Sequence, residues 1–258
     1  MKTSSTSVLL LFAVLFLTGC GQSHPKEIHL AAGAGLKETL NELIVEYKKI
    51  APDVVVIPNY EASGKLQQQI ENGAPVDVFI SANQDKMNLL EEKKLLIAGT
   101  RKNLVKNEIV LIVPKNRETV IQNFDDLGTE KLRNKGLAIG DPKVVPAGQY
   151  AVEIFDSLGM TDKVTPKTVL AQNVKAVLTY TVQGEVDAGV VYKTDAITML
   201  DHVVVVAVAP EESHTPAIFP AAVVTTGNNP DSGKEFLKFL FSPEAAVIFQ
   251  KNGYTMAE

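Results

Sequence analysis

Glu27–Ala82 reads EIHLAAGAGLKETLNELIVEYKKIAPDVVVIPNYEASGKLQQQIENGAPVDVFISA. Glu27 to Ala32 is a strand pattern that runs into the small residues Gly33-Ala34-Gly35. Leu36, Leu40, Leu43, Ile44 and Tyr47 then recur at helical spacing, and Pro52 stops the helix. Val54 to Ile57 is a β-branched run suited to a buried parallel strand. A second helix carries Leu66 to Ile70 and ends at Asn72-Gly73. Val76 to Ile80 is a third strand and Asp85 to Lys94 a third helix. This βαβαβα order predicts an α/β fold with a mostly parallel sheet and helices on both faces.

The alternation continues toward the C-terminus. Glu108–Val113, Gly136–Gly140, Val186–Tyr192 and His202–Val208 read as strands, and Ala217–Thr225 as extended chain. Gly148–Leu158, Val174–Val182, Asp231–Phe241 and Pro243–Gln250 read as helices. Two such αβ units with a helical C-terminus predict two lobes.

The N-terminus reads as an address. Val8–Leu17 is an apolar run of ten residues behind Lys2. A membrane span needs about 20 residues, so the run fits the core of a signal peptide. Leu17-Thr18-Gly19-Cys20 follows it and resembles the bacterial lipobox, in which the Cys is lipidated and becomes the mature N-terminus. Residues 1–19 are thus expected to be a lipoprotein signal peptide and residues 20–26 a flexible tether.

Composition excludes several classes. Of the 258 residues 45% are hydrophobic and 21% charged, which fits a globular body with a core. A single Cys leaves no disulfide scaffold and no Cys-based zinc or iron–sulfur site. The formal net charge is -5, and loss of Lys2 with the signal peptide makes it more negative. Binding to nucleic acid through phosphate neutralisation is therefore not expected. No G-x-S-x-G or H-E-x-x-H occurs, and His24, His29, His202 and His214 lack metal-ligand spacing. Paired acids such as Glu91-Glu92 and Glu211-Glu212 sit in charge-rich segments and read as solvated.

Four segments could carry chemistry. At Ala31–Leu36 a strand meets a helix through small residues, where unpaired helix N–H groups and the helix dipole can bind an anion. The turn fails as a dinucleotide fingerprint because Glu38 stands where the third Gly belongs. In Ala62-Ser63-Gly64-Lys65-Leu66, Ser63 is placed as an N-cap, or as a donor to an anion. In Gly140–Tyr150, Pro146 fits a first helical turn, leaving the amides of Ala147 and Gly148 free. Tyr192 ends a buried strand, where its hydroxyl can point into a cleft or pack in the core.

These segments, with Gly73–Ala82 and Gly189–Tyr192 followed by Asp195-Ala196, resemble in the same order the molybdate-binding proteins of ABC importers. The resemblance covers nearly all of the mature chain. It implies a two-lobed periplasmic-binding-protein fold of type II, with the ligand cleft between the lobes. Lobe I would comprise 27–107 plus 220–258, and lobe II 108–219. The oxyanion-binding residues implied are Gly35, Ser63, Ala147, Val174 and Tyr192, with no direct metal ligand and no cofactor. Val174 rests on Gln172-Asn173-Val174-Lys175. Many members of the family carry Ser where this chain has Gly35. The function implied is not enzymatic: a monomeric receptor, held outside the cytoplasm by lipid on Cys20, captures molybdate or tungstate and delivers it to an ABC permease.

The implied contacts contain no Lys or Arg. Hydrogen bonds to an ionised group are the strong ones, roughly 1.5–3 kcal/mol each, so a few neutral donors can offset desolvation of a dianion. A proton-bearing phosphate would need an acceptor, and none of the five positions is acidic, although Glu61 and Asp195 are near in sequence. Sulfate has the charge and shape of molybdate, and a receptor for sulfate or another small tetrahedral oxyanion is the alternative reading. An α/β enzyme acting on phosphoesters and an adhesive surface lipoprotein are the readings from other classes.

Overall fold

The computed structural model describes residues 26–115, 120–133 and 135–257. The expected signal peptide at 1–19, Cys20 and all but the last residue of the expected tether lie outside the described residues.

In chain order the first half runs β1 (Lys26–Gly33), α1 (Lys37–Ile50), β2 (Val54–Glu61), α2 (Ser63–Glu71), β3 (Val78–Ile80), α3 (Gln84–Glu92), β4 (Lys102–Lys106) and β5 (Ile109–Pro114). It continues through β6 (Leu137–Gly140), α4 (Pro146–Ser157), α5 (Thr161–Val164), β7 (Thr168–Ala171), α6 (Val174–Val182), β8 (Ala188–Tyr192) and α7 (Lys193–Ile197). The last part holds β9 (Val203–Val208), β10 (Ile218–Val223), α8 (Pro230–Leu240), α9 (Pro243–Lys251) and β11 (Thr255–Met256).

The strands form two sheets, ordered β11-β4-β10-β3-β1-β2 and β7-β6-β8-β5-β9. β2, β1 and β3 are parallel, and β10 closes on β3 antiparallel. β7, β6 and β8 are parallel, with β5 and β9 antiparallel beside them. Each sheet therefore has a parallel half, as the βαβ pattern predicts, and an antiparallel half built where the chain changes sheet. The chain passes between the sheets twice, from Lys106 to Ile109 and from Val208 to Ile218. The molecule is two-lobed and α/β.

Local chemistry accounts for the main boundaries. Asn83, Asn173 and Ser242 cap their helices by accepting amide N–H bonds. Pro146, Pro230 and Pro243 occupy first helical turns, where the missing N–H costs nothing. Gly73, at φ +85°, ends the turn after α2 in the left-handed region. Buried aliphatic residues such as Ile28, Leu30, Leu40 and Leu43 fill one lobe, and Val110, Leu111, Ile112 and Ile154 fill the other. Edge-to-face rings join them: Tyr150 meets Tyr192 at 6.3 Å, Tyr192 meets Phe219 at 4.9 Å, and Phe219 meets Tyr254 at 6.0 Å.

One strand departs from the sequence expectation. β2 is an edge strand rather than a buried one, with Val55 39% and Ile57 38% exposed. β-branched residues suit a pleated surface whether it is central or peripheral, so composition does not distinguish the two.

Candidate functional site

The carboxyl ends of β1, β2, β6 and β8 meet between the lobes, and each leads into a helical turn or a segment that starts one. That is where open α/β sheets place their ligands. A small cavity there, about 10 Å3, is lined by Gly35, Ser63, Ala147, Val174 and Tyr192 together with Glu61, Ala82 and Asn173. Five positions spread over nearly 160 residues of sequence thus share one wall. No lysine or arginine lines it.

Each residue reaches the wall by a definable route. Gly35 lies in a 3₁₀ turn, Ala34–Leu36, that leads into α1 with no side-chain cap. Ser63 is the first residue of α2 rather than its N-cap: Ala62 holds that place, and the Ser63 Oγ accepts the Ala82 N–H at 2.9 Å. The expectation of a cap fails because Ala82, distant in sequence, offers the hydroxyl a better partner. Since Oγ is the acceptor there, the hydroxyl proton remains available to a ligand.

Ala147 follows Pro146 at the start of α4, and the Ala147 amide takes no backbone carbonyl among the described residues. The Gly148 amide, expected to be free, instead donates to Val145 O at 3.0 Å in a tight first turn. Gly148 also packs so closely on the Gly140 carbonyl that a side chain has no room. Val174 is the first residue of α6, and Asn173 accepts the Ala176 N–H at 2.9 Å. Tyr192 ends β8, is almost fully buried, and donates its hydroxyl to Ala82 O at 2.8 Å. Burial first, then the nearby Tyr150, Asp195 and Tyr254, push that hydroxyl well above the ordinary tyrosine value, so it stays a neutral donor.

The lobes touch directly around the cavity. Gly64 N–H donates to Val144 O at 2.9 Å, and Asn83 Nδ2 donates to Gln149 Oε1 at 2.7 Å. With the Tyr192–Ala82 bond, these contacts describe a closed cleft.

Three neighbours, Glu61, Asp195 and Lys175, were not among the five positions expected at the site. Glu61 lines the cavity, and its carboxylate pairs with Lys65 at 3.0 Å. Asp195 is fully buried behind Gly35, and Lys175 lies 3.1 Å from it. Glu61 and Asp195 were visible as acids near site motifs, but their direction was not. Two larger hollows, about 830 Å3 between α1 and α8 and about 550 Å3 where the chain changes sheet, bring together no comparable set of helix starts. Among the described residues no group of three or more His, Cys, Asp or Glu could hold a metal ion, and no helix is long and apolar enough to cross a membrane.

Two lobes, a cleft at the strand ends and a wall of helix starts define a solute receptor of the periplasmic-binding-protein class. The family model for bacterial extracellular solute-binding proteins matches residues 28–255, and the chain belongs to that family, whose members are transport receptors and not enzymes. The chain is 35% identical over 261 residues to a putative ABC transporter substrate-binding lipoprotein of Bacillus subtilis, covering 98% of each. It is 34% identical over 257 residues to the molybdate-binding protein of Haemophilus influenzae, again covering 98% of each. A solved structure, the substrate-binding domain of a putative molybdenum ABC transporter from Clostridium difficile, is 41% identical with a TM-score of 0.69. The alignment covers 90% of this chain and 99% of that one.

Proposed function

We propose that this protein captures molybdate, and tungstate with it, outside the cytoplasm and delivers it to an ABC import permease. The observation that carries the reading is the common wall formed by Gly35, Ser63, Ala147, Val174 and Tyr192, drawn from both lobes and free of cations. The names of the relatives in Haemophilus influenzae and Clostridium difficile support the choice of ligand. The name of the Bacillus subtilis relative supports a lipid anchor, here on Cys20 after removal of residues 1–19.

Helix-start amides at Ala147 and Val174, the Gly35 turn and the Ser63 hydroxyl together replace the hydration shell of a dianion. The present cavity has the volume of about one water. A tetrahedral oxyanion seats with a small outward rotation of one lobe, and the Tyr192 hydroxyl turns from Ala82 O to the ligand. Bound ligand bridges both lobes and favours the closed form by its differential affinity, and the permease reads that form.

Thermal melts of the purified protein with molybdate, tungstate, sulfate and phosphate test this. At about 1,000 times the dissociation constant a ligand adds about 4 kcal/mol. For a chain of this size that raises the melting temperature by roughly 8–16 °C. The expected result is a large shift with molybdate and tungstate and none with sulfate or phosphate. A shift with sulfate alone would overturn the substrate and keep the mechanism. No shift with any of the four, in protein shown by elemental analysis to be free of molybdenum and tungsten, would overturn the reading.

A further inference from the structure

A chain of charges, buried at its Asp195 end, runs along the cleft beside the oxyanion wall. Asp195 sits in α7, fully buried, and neither carboxylate oxygen makes a well-formed hydrogen bond. Its oxygens face Gly35 across the cleft, close enough that a Cβ on Gly35 would stand 3.1 Å from Oδ2 and 3.3 Å from Oδ1. Lys175, one residue beyond Val174 in the first turn of α6, lies 3.1 Å from Asp195 Oδ1. The same ammonium lies 2.7 Å from Glu38 Oε2 in α1, across the cleft. Tyr192 and Tyr254 also face Asp195, both neutral through burial.

An ionised carboxylate removed from water without a partner is costly. On the closure reading proposed above, separation of the lobes would carry Gly35 away from Asp195 and let water reach the carboxylate. When they close, that hydration is lost. We infer that Lys175 is a positioning residue for ligand capture: its ammonium compensates Asp195 as Gly35 closes over it, and so sets how long the cleft stays shut.

The two halves of the chain are unequal. The Lys175–Asp195 pair is buried on its acid side, and removing the lysine leaves a buried, uncompensated charge. The Lys175–Glu38 pair joins the lobes directly, but Glu38 is about half exposed, and exposed ion pairs contribute little. Lys175 thus acts chiefly through Asp195. Lys175 does not itself line the cavity, and the effect falls on the closed state rather than on encounter.

This inference rests on the oxyanion reading, and one set of measurements separates the two. Molybdate association and dissociation rates are measured by stopped flow for wild type, Lys175→Met, Lys175→Arg, Asp195→Asn and the double variant Lys175→Met/Asp195→Asn. Dissociation from Lys175→Met is expected to be roughly 30-fold faster or more, with association changed little, as for loss of one partner of a buried charge pair. Lys175→Arg, Asp195→Asn and the double variant are expected to stay near the wild-type rate, because each keeps the charge compensated or removes the need for it. Glu38→Gln is expected to change dissociation by no more than about fivefold, the scale of an exposed pair. Equal dissociation from Lys175→Met and wild type would overturn the inference and leave the oxyanion reading intact. A double variant as fast as Lys175→Met would also overturn it, since Lys175 would then not act through Asp195. If Lys175→Met does not fold, Asp195→Asn and the double variant still decide: rates that differ by more than about fivefold, the scale of the lost Lys175–Glu38 pair, overturn the inference. Failure of the wild type to bind any of the four oxyanions would overturn the oxyanion reading, and this inference with it.

Discussion

Gly35 and Asp195 face each other across the cleft so closely that a side chain at position 35 would press on the carboxylate. A Cβ at position 35 would lie 3.1 Å from one Asp195 oxygen and 3.3 Å from the other. The family's frequent Ser at this position therefore requires the carboxylate to give way, while Gly lets it approach. Gly35→Ala is expected to weaken molybdate binding by about 1–3 kcal/mol, the usual cost of overpacking. Gly35→Ser adds the same crowding and a hydroxyl donor, so it should weaken binding less than Gly35→Ala. Titration calorimetry on the two variants measures the difference.

Gly64 offers a cleaner probe of closure. Its amide bonds Val144 O, and a Cβ there would stand 2.7 Å from both the Cα and the carbonyl oxygen of Val144. Backbone on the opposite lobe cannot rotate aside. Gly64→Ala should therefore hold the lobes further apart when ligand is added, with less compaction than wild type in small-angle scattering. The melting temperature without ligand should change by no more than a degree or two, since Ala is well tolerated in a helix. Compaction equal to wild type would refute this role for Gly64.

Ala82 is held from both lobes. Ser63 Oγ accepts its N–H and Tyr192 donates to its carbonyl. Tyr192→Phe or Ser63→Ala leaves one buried backbone group without its partner, a cost of about 1–3 kcal/mol. Both variants should also lose molybdate affinity. Chemical denaturation and calorimetry on each variant check stability and binding separately.

Lys175 makes an alkaline prediction. Burial pushes its ammonium down, but the carboxylates of Asp195 and Glu38 outweigh burial and hold it above the ordinary lysine value of 10.5. A raised lysine binds more protons folded than unfolded. Its contribution is fully present below 10.5 and is lost as pH rises through the folded value. The gap in melting temperature between wild type and Lys175→Met should be constant near neutral pH and narrow above 10.5. A gap that widens with alkalinity would contradict the assignment.

Much of the fold was legible because it is written in local periodicity. Leu40, Leu43 and Tyr47 recur on one face of α1 and are buried there. Val110 to Val113 form a continuous apolar run and make a fully buried strand. β4 was not foreseen, since Lys102–Lys106 buries only Leu104 and Val105 and is a strand because β10 pairs with it. β7 and β11 are short for the same reason and gain their form from neighbours. Ser63 has the chemistry of a cap and the position of one within a residue. Only the approach of Ala82 redirected its hydroxyl.

By itself the sequence determined the alternation of strands and helices, the turns where small residues meet helix starts, and the neutrality of the five positions implied as contacts. These properties follow from side-chain period, backbone freedom and charge, which act over a few residues. The tertiary structure alone decided that Gly35 and Ser63 share a wall with Ala147, Val174 and Tyr192, and that Asp195 lies behind it with Lys175. Those relations depend on how two separately wound lobes meet, and contact across a cleft leaves no periodic trace in the chain.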